Sequence, residues 1–283
     1  MKEEPREPSY GSDYHRIPAT SITSGTGVEV AEDLYGYTVG IVNIALVGRP
    51  GGPGYVLVDA GMPGSVDSIV EAAEERFGKG SRPDAIVLTH GHFDHVGAIV
   101  ELLERWDVPV YAHPLELPFL TGEESYPEPD PSVEGGILAK ISSVFPNEPI
   151  QLGSRIQALP EDGIVPHLPG FRWIHTPGHA PGQVALFREA DRALIAGDAF
   201  ITVRQDSLYK VLVQKTEVCG PPRYFTADWK AARESVLRLA ALRPAMAITG
   251  HGRPMAGEEL AEGLERLTRT FDQTAVPDHG KYV

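Results

Sequence analysis

The sequence of 283 residues contains a single cysteine, Cys219. That excludes an internal disulfide and any zinc cluster built on cysteine, and it fits a reducing compartment. Long apolar runs are missing as well. The most apolar stretch, Tyr37 to Val47, falls well short of the roughly 18 residues that suggest a membrane span. The N-terminus reads MKEEPREPSYGSDYHRIP, with acids and prolines where a secretory leader needs an apolar run. The expectation is a cytoplasmic protein with no membrane partner. Basic residues are few: 25 Lys and Arg stand against 39 Asp and Glu, a net charge of −14. A surface that acidic repels phosphate backbones, so nucleic acid is not the expected partner.

What is present has the make-up of a folded protein: 42% hydrophobic, 23% charged, with 30 Gly and 25 Pro. Residues 1–18 read as a flexible arm, and 19–283 as one domain. Strand patterns cover Gly27–Val30, Tyr37–Val47 and Tyr55–Val58, with Asn43 and the glycine- and proline-rich segment 48–54 as a hairpin turn between the last two. A helix is expected over Ser65–Phe77, where Val66, Ile69, Val70, Ala73 and Phe77 share one face and Gly78 closes it. Then come a strand at Ala85–Leu88, a helix at His95–Trp106 and a strand at Val108–Ala112.

Residues 114–169 hold 10 of the 25 prolines. The segment is too long for a plain connection, and it reads as an inserted lid or pocket wall rather than regular sheet, with a short helix at Gly136–Val144. Strands resume at Phe171–His175, Val184–Arg188 and Ala193–Ala196. A helix follows over Ala227–Leu242, capped by Thr226, then a strand at Ala245–Ile248 and a last helix at Gly257–Phe271. The order implies two sheets face to face with helices outside, an α/β sandwich.

The informative segment is Thr89-His90-Gly91-His92-Phe93-Asp94-His95, between an apolar strand and a helix. Imidazole nitrogens and carboxylate oxygens are what zinc and similar first-row ions bind. One short segment rarely completes a site, and three further strand ends supply matching chemistry. His179 follows Phe171–His175, Asp198 follows Ala193–Ala196, and His251 follows Ala245–Ile248, each flanked by glycine. Strand ends are where α/β proteins gather functional groups.

In this order the residues resemble the metallo-β-lactamase-fold hydrolase superfamily: His90-x-His92-x-Asp94-His95, then His179, Asp198 and His251, over roughly residues 20–270. The resemblance implies a four-layer αββα sandwich of two mixed β-sheets with the site at one edge. It also implies that His90, His92 and His179 hold one metal ion, that Asp94, His95 and His251 hold a second, and that Asp198 bridges both. Such a ligand set suits two divalent ions, zinc first, with iron or manganese as alternatives. The implied chemistry is hydrolysis by a metal-bridging hydroxide. Asp94 is the implied catalytic carboxylate beside its ligand role.

Outside the ligands, Asp59 resembles the acidic residue usual upstream of the main motif. It is expected to orient a metal-bound histidine, since ligating imidazoles donate their second N–H to an acceptor. His113, at a strand end, is expected near the ligands or lining the pocket. The stretch 201–226 is net basic, carrying Arg204, Lys210, Lys215 and Arg223 against Asp206 and Glu217. In it, Tyr209, Lys210 and Arg223 are expected to help bind an anionic or polar acyl substrate. Cys219 reads as a packing residue.

The reading is a dinuclear hydrolase of a small-molecule ester, thioester, lactone or phosphoester bond. True β-lactamases of the superfamily typically lack the bridging aspartate, so with Asp198 present β-lactam hydrolysis is expected only as a side activity. The alternative is a mononuclear iron oxidoreductase resembling persulfide dioxygenases. Bond type and oligomeric state stay open.

Overall fold

The structure is a computed structural model that describes residues 7–17, 19–134, 136–204 and 216–283. Tyr209 and Lys210 therefore lie outside the described residues.

Alternating side chains build the first sheet. Its strands are β1 (Thr26–Ala31), β2 (Leu34–Val39), β3 (Val42–Val47), β4 (Val56–Val58), β5 (Ala85–Val87), β6 (Val110–Ala112) and β7 (Ile156–Ala158), in spatial order β1 to β7. The first four pair antiparallel and the last four parallel, so the sheet is mixed. On β3, Val42, Ile44 and Leu46 pack outward with the helices, while Ala45 and Val47 face the second sheet. This is the two-residue period of a strand buried on both faces.

The second sheet has the order β14-β13-β10-β9-β8. Here β8 is Phe171–His175, β9 Val184–Arg188, β10 Ala193–Ile195, β13 Met246–Ile248 and β14 Met255–Ala256. β10 and β13 run parallel; the other neighbours run antiparallel. Strands β11 (Ile201–Val203) and β12 (Thr216–Cys219) form a separate pair.

Three apolar clusters define the layers. Val47, Val56, Val58 and Val87 meet Val184, Leu186, Ile195 and Ile248 between the sheets. The helices Val66–Phe77 and Ile99–Arg105 cover the outer face of the first sheet through Ile69, Ala73, Ile99 and Leu102. The helices Trp229–Ala241 and Gly257–Thr274 cover the second through Val236, Leu239, Leu260 and Leu264. The result is the expected αββα sandwich.

Several local expectations are corrected. Tyr37–Val47 is two strands, because Gly40 (φ 64°) turns the chain between Val39 and Val42, which pair directly, and Asn43 lies within the second strand, opposite Thr38, not in a turn. The helix expected at His95–Trp106 is broken into Phe93–Val96 and Ile99–Arg105. There the N–H groups of Gly97 and Ala98 donate to Gly61 and Ala60 carbonyls instead of continuing the helix ladder. The Trp229–Ala241 helix is capped by Asp228, whose carboxylate accepts from the Ala231 N–H, not by Thr226. The proline-rich segment contributes regular sheet after all: β7 lies parallel to β6 at the sheet edge. In the segment read as an arm, Ser9 exchanges backbone hydrogen bonds with Gln151. Tyr10 Oη donates to the Gly97 carbonyl and to Glu101, so residues 9 and 10 are held to the body.

Candidate metal centre

Strand ends deliver every group. Asp59 follows β4, the 89–95 loop follows β5, and His179, Asp198 and His251 follow β8, β10 and β13. Backbone bonds tie these loops together. Val184 N–H donates to Thr89 O at 2.9 Å, Gly250 N–H to Gly197 O at 2.8 Å, and Asn43 N–H to Gly250 O at 2.7 Å.

His90, His92 and His179 each offer one nitrogen, and these lie within 4.8 Å of one another. The same holds for the nearest atoms of Asp94, His95 and His251, and for those of His90, His95 and Asp198. Asp198 stands between the two histidine groups. Its Oδ2 is 3.5 Å from His179 Nε2 and 3.2 Å from His251 Nε2, and its Oδ1 is 3.6 Å from His95 Nε2. Asp94 Oδ2 is 3.3 Å from His251 Nε2. All seven side chains are buried. The closeness needs Gly250: a Cβ there would stand 2.0 Å from Asp198 Oδ1 and 2.7 Å from His95 Cε1.

The outward nitrogens are fixed one by one. His95 Nδ1 lies 2.8 Å from Asp59 Oδ2, His90 Nδ1 3.1 Å from Thr89 Oγ1, His179 Nδ1 3.2 Å from Thr226 Oγ1, and His251 Nδ1 3.0 Å from the Ile41 carbonyl. These four rings therefore present Nε2 inward, whereas His92 presents Nδ1, 2.9 Å from His179 Nε2. Asp59 (φ 63°) also accepts from the Thr89 N–H and hydroxyl, which locks the start of the loop.

A metal fits this donor set. His90 Nε2, His95 Nε2 and Asp198 Oδ1 are buried with no hydrogen-bond partner. Such groups cost free energy unless something satisfies them, and a cation at the centre would satisfy all three at once. The proton distribution agrees. Burial, with the neighbouring imidazoles, drives His90 and His92 well below the usual histidine range, and burial holds His179 down at about 4, so these rings are neutral. Burial also opposes charge on His251, but the Asp198 and Asp94 carboxylates prevail and raise it to about 10. His95 is raised in the same way by Asp59, Asp198 and Asp94. Burial pushes the Asp94 and Asp198 carboxyls up, but the His95 and His251 cations outweigh it and hold both low. Cation binding displaces protons from rings of the second kind.

Two expected residues stand elsewhere. His113 Nδ1 accepts from the Leu115 N–H and caps the turn Pro114–Glu116. Its ring stacks on His175 at 4.3 Å and meets Trp173 edge-on, with no ligand among its ring contacts in the described residues. Arg223 points its guanidinium at the Thr274 and Ala275 carbonyls and lies 3.7 Å from Glu134, bracing the end of the last helix.

The stretch 201–226 brings its aromatic residues Tyr224 and Phe225 to the site as part of a wall. Phe225 stacks on His92 at 4.8 Å and is flanked by Phe93, Phe145 and Tyr224. The Tyr224 hydroxyl is raised well above the usual tyrosine range by burial and by the Asp94 and Asp198 charges. Sequence reasoning missed Glu116 and Tyr126, which meet each other and the Gly91 N–H. No periodicity or motif marks Glu116 or Tyr126; both lie in the proline-rich segment 114–169.

Comparisons with known proteins point to one family. A family model described as the metallo-beta-lactamase superfamily matches residues 37–251. The chain is 51% identical over 252 residues to the probable metallo-hydrolase YflN of Bacillus subtilis (strain 168), covering 89% of this chain and 96% of that protein. It is 33% identical to the probable metallo-hydrolase YybB of the same organism, over 69% of this chain and 74% of that one. Among solved structures it resembles TTHA1623 in a di-iron-bound form, at 31% identity and TM-score 0.52, covering 81% of this chain and 93% of that one. A B3 metallo-beta-lactamase with an active-site glutamic acid aligns at 20% identity and TM-score 0.58, over 92% of this chain and 91% of that one, a likeness of fold alone.

Proposed function

Since the chain belongs to the metallo-beta-lactamase superfamily, we propose that it is a metallo-hydrolase with a dinuclear centre, acting on a small-molecule ester, thioester, lactone or phosphoester bond. The observation that carries this reading is the convergence of five histidines and two aspartates, with buried ring nitrogens and a carboxylate oxygen left unpartnered at the centre. His90, His92 and His179 would hold one ion, Asp94, His95 and His251 the other, and Asp198 would touch both.

Divalent ions bound there supply Lewis acidity, lowering the pKa of water to near neutrality and polarising an acyl or phosphoryl oxygen. The chain supplies the rest. Asp59, Thr89, Thr226 and the Ile41 carbonyl hold the imidazoles in one orientation each. The Asp94 carboxylate, buried and held ionised, would accept a hydrogen bond from the attacking water and orient it. The aromatic wall at Phe225 excludes water on the His92 side. The donor set also accommodates iron, and the di-iron form of TTHA1623 makes that the second metal reading beside zinc. A cytoplasmic location is part of the proposal; no helix among the described residues is long and apolar enough to cross a membrane.

The test is a substrate panel of acyl lactones, thioesters, phosphodiesters and a cephalosporin, run on protein of known metal content. The reading expects turnover of one of the first three classes with two ions per chain, and at most slow cephalosporin cleavage. One iron per chain with oxygen consumption on a persulfide would replace it with the dioxygenase reading.

A further inference from the structure

Glu116 is a carboxylate with no exposed surface, and among the described residues no basic side chain pairs with it. Burying a charge without a cation is costly. Burial raises its carboxyl above the usual glutamate range, and the hydrogen bonds it accepts from Tyr126, Gly182 and Gly91 pull it back. Oε2 accepts the Gly91 N–H at 2.9 Å, between His90 and His92. Oε1 accepts the Gly182 N–H at 2.7 Å, in the loop that carries His179. Tyr126 donates its hydroxyl to Oε2, accepts from the Gly91 N–H at 2.9 Å, and packs its ring against His92 at 4.5 Å.

The chain is shaped to let this carboxylate in. A Cβ at Gly91 would stand 2.6 Å from the Tyr126 hydroxyl, and one at Gly182 would stand 2.9 Å from Glu116 Cγ. Both glycines thus serve close approach, not a turn conformation. His113 and Pro114 form the turn that aims Glu116 inward, the Glu116 N–H donating to the His113 carbonyl.

We propose that Glu116, assisted by Tyr126, is a positioning residue that sets the distance between the His90–His92 loop and the His179 loop, and so tunes the metal pocket those three histidines form. The proposal rests on the reading that His90, His92 and His179 hold an ion. It assigns the inserted segment a share in building the centre. Removing one acceptor frees one loop from the other, and the ion held between the loops is the one that weakens.

The experiment is chelator competition on the full chain reconstituted with Co2+, followed by visible absorption, for wild type, Glu116→Gln, Tyr126→Phe and His92→Ala. Glutamine keeps one acceptor but turns an amide N–H toward the other loop. The expected result is that Glu116→Gln loses one ion at roughly ten- to hundredfold lower chelator, the usual effect of a partner behind the ligands. The other ion is held as in wild type. The weakened ion should be the one His92→Ala lacks, with its absorption band shifted. Tyr126→Phe should weaken the same ion by a smaller factor, which keeps the test open if Glu116→Gln misfolds. Both variants binding both ions with wild-type affinity and spectrum, or losing both ions equally, would overturn the proposal. A wild-type chain with no ion at His90, His92 and His179 would overturn the underlying reading as well, and is told apart by the wild-type titration alone.

Discussion

Asp59 Oδ2 stands 2.8 Å from His95 Nδ1, while Oδ1 accepts the Thr89 N–H at 2.7 Å. One carboxylate thus orients a ring and anchors the backbone of the loop that carries it. Asp59→Asn keeps the left-handed conformation that Asn tolerates but cannot receive both bonds equally. The expected outcome is a folded protein with metal affinity lowered about 10–100-fold, measured by chelator competition. Unchanged affinity would show that Asp59 acts on the fold alone.

Stability of the metal-stripped protein should peak near pH 6.5. His179 falls from 6.5 unfolded to about 4 folded. Between those values the unfolded chain holds a proton the folded one refuses, so stability drops as pH falls through that window. His251 rises from 6.5 to about 10. Its contribution is complete below 6.5 and fades as pH climbs toward 10. Calorimetry between pH 4.5 and 9.5, with chelator present, should trace this dome. A flat profile, or one rising steadily with pH, would contradict the proton distribution described.

Asn43 is a buried amide on the face of β3 toward the second sheet. Its Nδ2 donates to the Thr249 carbonyl at 2.8 Å and the Gly252 carbonyl at 2.5 Å, bracketing His251. Asn43→Ala leaves both carbonyls unmet and should cost about 2–4 kcal/mol, read by urea denaturation. The ion nearest His251 should also weaken.

Arg223→Ala separates the two readings of that residue. Three backbone carbonyls accept from its guanidinium, at Ala275, Thr274 and Glu134. Its loss should destabilise the protein by about 1–2 kcal/mol and leave KM for the identified substrate unchanged. A large rise in KM with unchanged Tm would restore the substrate-binding expectation.

The seven candidate ligand residues were legible because ligand chemistry is confined to few residue types and their loops follow the ends of apolar strands. The layers were legible because the strands β8 and β9 and the helix Val66–Phe77 carry clear periodicity. What escaped has physical reasons. The turn at Gly40 hides in a mostly apolar run, and the break after Val96 comes from backbone bonds to Ala60 and Gly61, which no local pattern encodes. Thr226 reads as a cap, yet its hydroxyl serves His179 and the Pro222 carbonyl. Glu116, Tyr126 and Asn43 act across long sequence separations, visible only once the loops are assembled.

The central claim is that Asp198 joins two cation pockets into one reactive centre. The direct measurement counts metal ions per chain by mass spectrometry, together with turnover, in wild type and Asp198→Asn of equal secondary structure. The account predicts two ions in wild type, and the loss of at least one ion with most of the activity in the variant. Two ions and full turnover in Asp198→Asn would contradict it.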